Sequence, residues 1–163
     1  MINKTRVIEV LDDSHEKEVE AVVNNLKPED RLEIMASSGV SFPQFIAMSG
    51  WKLSARKWLI LKGEEPIAVF GVVAHDKYPE TGVPWLLSTK RIKTIKSFLV
   101  RNSKKYIDEM RKTYSYLFNY VDERNIFSVK WLQWCGFKIW SPTPKGVLGL
   151  KFHLFDMGVR PNV

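Results

Sequence analysis

Asn125-Ile126-Phe127-Ser128-Val129-Lys130-Trp131-Leu132-Gln133-Trp134-Cys135-Gly136-Phe137 reads as a short helix with a marked start and a marked stop. Asn125 is a good N-cap, because its side-chain oxygen can accept an orphan backbone N–H. Gly136 can take the left-handed conformation that closes a helix at little steric cost. Phe127, Trp131 and Trp134 recur at spacings of four and three, which puts them on one helical face. A β-rich run, Tyr114 to Val121, precedes this helix, and another, Phe137 to Trp140, follows it.

Working outward, the same alternation of periods continues in both directions. Thr5 to Leu11 alternates as a strand. Asp12, Asp13 and Ser14 offer N-caps for a helix to about Asn25, with Val19, Val22, Val23 and Leu26 at helical spacing. Lys27-Pro28-Glu29-Asp30 opens a second helix, where proline suits the first turn and the acids suit the positive end of the helix dipole. Ser37-Ser38-Gly39 ends it, and Ser41 to Gly50 reads as a third, short helix. Ala55 to Leu61 and Ile67 to Ala74 are strands joined by a Gly-containing turn, hence a hairpin. His75 to Pro84 reads as a loop and Trp85 to Ser88 as a short strand. A long basic helix spans about Thr94 to Lys112. Ser141 to Gly146 is a turn region, and Val147 to Met157 contains a last strand. The order β-α-α-α-β-β-β-α-β-α-β-β has no internal repeat and no linker. It predicts one domain over residues 1–163, with a mixed sheet and helices on both faces.

Composition excludes several functions. With 163 residues, 45% hydrophobic and 26% charged, the chain can bury a core and is not disordered. Its one cysteine, Cys135, allows neither an internal disulfide nor a cysteine-based zinc site, and reads as a small buried hydrophobe. No metal site is expected. The first residues lack the apolar core of a signal peptide, and no run approaches a membrane span, so a soluble protein made in a cytoplasm is expected, with no membrane partner. The net charge is +7, with nine Lys or Arg and two acids between Lys90 and Lys112. That segment reads either as a solvated helix face or as a surface for phosphates, nucleic acid or an acidic partner.

On the Asn125–Phe137 segment and the element order, the chain resembles the GCN5-related N-acetyltransferase (GNAT) superfamily. Asn125, Ser128, Gly136 and Phe137 stand where that family's second signature has Asn, a small residue and a terminal Gly-Phe. A narrower resemblance rests on Gly82-Val83-Pro84-Trp85-Leu86-Leu87-Ser88-Thr89, Asn119-Tyr120-Val121-Asp122-Glu123-Arg124-Asn125, Trp131 to Phe137 and Phe152-His153-Leu154-Phe155-Asp156-Met157. These pieces are similar to a GNAT-like family of tailed bacteriophages that includes short internal virion proteins of podoviruses. The resemblance covers roughly residues 5 to 157. It implies a mostly antiparallel mixed α/β sheet, splayed between strands four and five, and a location in the host cytoplasm or the virion.

The resemblance also implies a site. GNAT enzymes bind acetyl-CoA between those two strands and cradle its pyrophosphate with backbone N–H groups and a helix start. The matching residues here are Leu87, Ser88, Thr89, Lys90, Arg91, Asn125 and Ser128. The family's glycine-rich loop is replaced by Ser88-Thr89-Lys90-Arg91-Ile92-Lys93-Thr94, whose lysines and arginine can hold phosphate by charge. Trp85-Leu86-Leu87-Ser88 has no glutamate, and Leu132 stands where a tyrosine is common. His75 and Asp76 are the candidate base, and Tyr120, with Tyr114 and Tyr116, a candidate acid. Two readings follow: an acyl-CoA-dependent N-acyltransferase with a protein or small-molecule amine acceptor, or a non-catalytic virion or host-interaction protein on the same scaffold. Filling of the cleft by Trp85 or Trp131 would favour the second.

Overall fold

The computed structural model describes residues 4–162. In chain order the elements are β1 (Thr5–Glu9), α1 (Glu16–Val23), α2 (Pro28–Ser38), α3 (Pro43–Leu53), β2 (Arg56–Lys62), β3 (Glu65–Ala74) and β4 (Thr81–Ser88). They continue with α4 (Lys96–Arg111), β5 (Tyr116–Asp122), α5 (Ile126–Trp134), β6 (Lys138–Ile139), β7 (Thr143–Lys145) and β8 (Leu150–Gly158). The strands form one 8-stranded sheet in the order β1-β2-β3-β4-β5-β8-β6, with β7 also paired to β8. Every pairing is antiparallel except β4 with β5.

Strand alternation sorts the core into two layers. On β2, Trp58 and Ile60 face α4 and α5, where they meet Leu99, Ile107, Met110 and Leu132. Leu59 and Leu61 face the other way, against Val19, Val22, Ile34 and Trp51 of the first three helices. The helices have the expected punctuation. Pro28 opens α2 and Gly39 closes it at φ 71°, and Gly136 follows α5 at φ 96°.

Several boundaries differ from the sequence reading. Residues 81–84, read as loop, belong to β4, because Pro84 sits on the side of the strand where no partner is needed (below). The basic helix begins as a 3-10 turn, Lys90–Ile95, before α4 proper. The turn region after Trp140 contains β7, which pairs Thr143 with Phe152 and Lys145 with Leu150. Val147 and Leu148 therefore form a hairpin tip and the last strand begins at Leu150. The aromatic face of α5 does turn toward α4, where Phe127 and Trp131 pack half-buried against the core. Trp134 is 50% exposed and donates to the Val100 carbonyl, while Leu132 is the buried residue of the helix.

Candidate functional site

β4 and β5 run parallel and pair only at Thr81 with Tyr116 and Gly82 with Leu117. Beyond that point they part. The Asn119 side-chain amide donates to the Pro84 carbonyl at 2.8 Å and spans the start of the gap. Neighbouring residues of a strand bond in opposite directions. Thr89 N–H donates to Ile67 of β3, whereas the Ser88 N–H and the Pro84 carbonyl point away from β3. With an unbroken register against β3, the N–H that faces the gap between them is that of Leu86, and the Leu87 N–H turns to β3.

The gap opens into a cavity of about 370 Å³, lined from both faces of the sheet. Ser103, Ser128 and Trp131 stand on the α4–α5 side, and Glu33, Trp85 and Tyr120 on the other. Neither tryptophan plugs it. The Trp131 indole N–H is held by Ser103 Oγ at 2.8 Å and that of Trp85 by Ser54 Oγ at 2.7 Å, so both rings serve as walls.

A polar brace joins the open ends of the two strands. The Asp30 carboxylate accepts from Ser88 N–H at the end of β4 (2.9 Å), from Lys27 Nζ (3.2 Å) and from the Asn125 amide (3.0 Å). Glu33 accepts from Asp122 N–H at the end of β5 (3.0 Å) and from the same Asn125 amide (2.8 Å). Lys27 Nζ donates to Asn125 Oδ1 at 3.1 Å. Asn125 and Asp30 are each only 1% exposed. Asn125 is therefore not the side-chain cap that the sequence suggested; its amide is spent on Asp30 and Glu33 of α2 and on Lys27 just before it.

The environment sets the acids apart. Burial pushes Asp30 upward, opposed by the Lys27 ammonium and three hydrogen bonds. Burial pushes Glu33 up from 4.5 to about 7; the Asn125 and Asp122 donors oppose this, and the neighbouring Asp30 and Asp122 charges add to it. Asp122 is also raised by burial, but the Arg124 guanidinium, bidentate at 2.6–3.2 Å, outweighs that and holds it low.

The residues singled out in the sequence divide. Leu87, Tyr120 and Ser128 line the cavity. Ser88 and Thr89 are buried behind the brace, and Thr89 Oγ1 accepts from Arg91 N–H as the cap of the 3-10 turn. Lys90 is exposed, and Arg91 pairs with Glu65 at 3.0 Å. His75 and Asp76 lie at the paired end of the split, away from the cavity wall. His75 Nδ1 accepts from the Lys77 and Tyr78 amides and lies 3.2 Å from the exposed Asp76 carboxylate. The basic segment lies along the exposed side of α4, where Lys104 Nζ stands 5.2 Å from the Trp134 ring. Sequence reasoning missed Lys27, Asp30 and Glu33. Their spacing of three, with Ile34 four beyond Asp30, was the available signal that these charges share the buried face of α2.

Among the described residues no group of three acids, histidines or cysteines could hold a metal, and no helix is long and apolar enough to cross a membrane. No protein-family model matches the sequence, and no curated protein matches it. Solved structures do. The chain superposes on a GNAT-family acetyltransferase from Streptococcus pneumoniae with TM-score 0.63 at 12% identity, over 96% of this chain and 100% of that one. A Bacillus subtilis acetyltransferase in complex with CoA gives 0.64 at 12% identity, over 96% and 100%. An aminoglycoside N(6')-acetyltransferase from Legionella pneumophila gives 0.66 at 12% identity, over 97% and 94%. The architecture is the GNAT fold, with the split between β4 and β5 as its open seam.

Proposed function

We propose that the protein is an acyl-CoA-dependent N-acyltransferase in which Glu33 takes the proton from the acceptor amine. The observation that carries this reading is the Glu33 carboxyl set in the wall of a cavity that opens where β4 and β5 part, with burial pushing that group up. The residues present fit the pantetheine arm: the Leu86 N–H faces the gap unspent by strand pairing, between apolar walls. The diphosphate falls to charge. The amides of Ser88, Thr89, Arg91 and Ile92 are all used internally, so the exposed Lys90, Lys93 and Lys96 are its ligands. Lys96 Nζ sits 6.0 Å from the Phe127 ring and bridges the starts of α4 and α5.

Acyl-CoA, when bound, supplies a thioester carbonyl activated toward amines. Leu86 N–H holds the carbonyl oxygen, where negative charge develops during attack. Glu33, ionised above about pH 7, would accept the proton of the attacking amine as the C–N bond forms; the C–S bond then breaks and coenzyme A leaves as the thiolate, which takes a proton from bulk solvent as it departs. Trp85 and Trp131 exclude water from the gap. Titration of acetyl-CoA into the protein tests the reading, followed by acyl transfer to a panel of amines and peptides with Glu33→Gln. Acetyl-CoA is expected to raise the Tm of both forms, and the variant to lose roughly 10²-fold or more in kcat. Absence of any thermal shift at millimolar acetyl-CoA refutes the proposal.

The internally spent amides and the brace across the seam favour a second reading, a non-catalytic protein on this scaffold. The resemblance to podovirus sequences supports an internal virion or host-interaction role within it. Detection of the protein in purified particles, together with no acyl-CoA binding, would establish that reading over the first.

A further inference from the structure

The half of the cavity where Glu33 stands holds open space at a defined place. Along α3, Pro43, Ile46, Ala47, Gly50 and Trp51 recur at spacings of three and four and form the inner face of the helix. Pro43, Ala47 and Trp51 are buried, while Ile46 and Gly50 are half-buried and line the cavity. Gly50 is helical, so no left-handed conformation calls for glycine there. A Cβ built on it would meet nothing within 4 Å outside its own helix, so no close approach of another element calls for glycine either. Glycine is the poorest helix former after proline, and α3 carries that cost in its interior with no packing reason. What it leaves is room beside Ile34, Ile46 and Trp85, on the side of Glu33.

The same half carries a cation. The turn after β7 is seated on the end of α2, where a Cβ on Gly146 would come 2.7 Å from the Ala36 carbonyl oxygen. This brings Lys145 of β7 to the cavity wall, with Nζ 3.8 Å from the centre of the Tyr120 ring. Among the described residues Lys145 pairs with no carboxylate. An ammonium held over an aromatic face keeps its N–H donors for a further partner. The space bounded by α2, α3 and the β7–β8 hairpin therefore combines a carboxyl, an apolar wall and an unmatched positive charge.

We propose that the acceptor is a small primary amine that also carries an anionic group, a carboxylate or a phosphate. Its amine lies at Glu33, its carbon body fills the space beside Gly50 and its anion pairs with Lys145. The proposal rests on the acyl-CoA reading above, and the product is the N-acyl derivative of that amine. Calorimetric titration into the whole protein, saturated with coenzyme A so that no transfer occurs, tests it. The probes are leucine against isopentylamine, 4-aminobutyrate against butylamine, and O-phosphoethanolamine against ethanolamine. At least one anionic member is expected to bind roughly tenfold tighter than its partner, and the pair that shows it tells carboxylate from phosphate. Lys145→Met is expected to erase that difference while the affinity for acetyl-CoA stays unchanged. Gly50→Ala is expected to raise the Tm, and Gly50→Leu to weaken the preferred amine roughly tenfold or more. A lower Tm for Gly50→Ala shows the space to be filled and overturns the proposal. Acetyl-CoA binding with no preference in any pair overturns it and leaves the acyltransferase reading standing. So does a preference that Lys145→Met and Gly50→Leu leave intact, or acyl transfer confined to peptides. Failure of acetyl-CoA to bind overturns both.

Discussion

Glu33 makes stability depend on pH in a direction opposite to that of an ordinary paired carboxylate. Its pKa lies at about 7 in the folded protein against an ordinary 4.5. Between these values the folded form keeps a proton that the unfolded form has released, so stability falls as pH rises through this window and levels off above about 7. At roughly 1.4 kcal/mol per pH unit the full effect is about 3 kcal/mol. Asp30, also raised by burial, acts in the same direction. Asp122, held low by Arg124, contributes stability lost only on strong acidification, below the window. The assay is urea unfolding at pH 5, 6, 7 and 8 for the wild type and Glu33→Gln. The variant should carry a pH-independent cost of about 1 kcal/mol, because its amide NH₂ must face either the Asp122 N–H or the Asn125 amide, both donors. Its stability should nevertheless change less with pH, and the two curves should converge or cross toward pH 8. Parallel curves refute the assignment of the near-neutral group to Glu33.

Two further outcomes separate alternative roles of single residues. Asn125→Ser preserves a good N-cap and should cost only a few tenths of a kcal/mol if capping were its job; because its amide instead joins Lys27, Asp30 and Glu33, we expect about 3 kcal/mol by urea unfolding. Burial pushes the Cys135 thiol up to about 11, so native labelling by a disulfide reagent at pH 8 should be roughly 10²-fold slower than labelling in urea. Equal rates would place Cys135 outside the core.

The fold was legible where local rules and packing agree. Gly136 closes α5 and Pro28 opens α2 because backbone geometry alone demands it there. The two layers follow from alternation on β2 and helical spacing on α1 and α4. The site was less legible, because its residues belong to elements far apart in the chain. Asp30 satisfies the local rule for an acid in a first helical turn, and Asn125 that for a helix start. Both are instead claimed by a contact across 95 residues. Pro84 misled in the opposite way. A proline argues against a strand interior only if its nitrogen faces a partner, and here it faces the seam. The cavity itself has no local signature, since it arises from where β5 stops following β4.

The brace explains how one helix governs the shape of the seam. A sheet that loses its ladder after two residue pairs has no backbone bonds to fix how far its strands diverge. Here α2 grips the end of β4 through Asp30 on Ser88 N–H and the end of β5 through Glu33 on Asp122 N–H, so the length of its side chains sets the gap. The surroundings of the two acids differ. Asp30 has an ammonium at 3.2 Å and two further donors, and its charge is matched within the brace. Glu33 has two uncharged donors, two carboxylate neighbours and, further off, the Arg124 guanidinium. Both carboxyls line the cavity, so neither can be moved without also moving the seam.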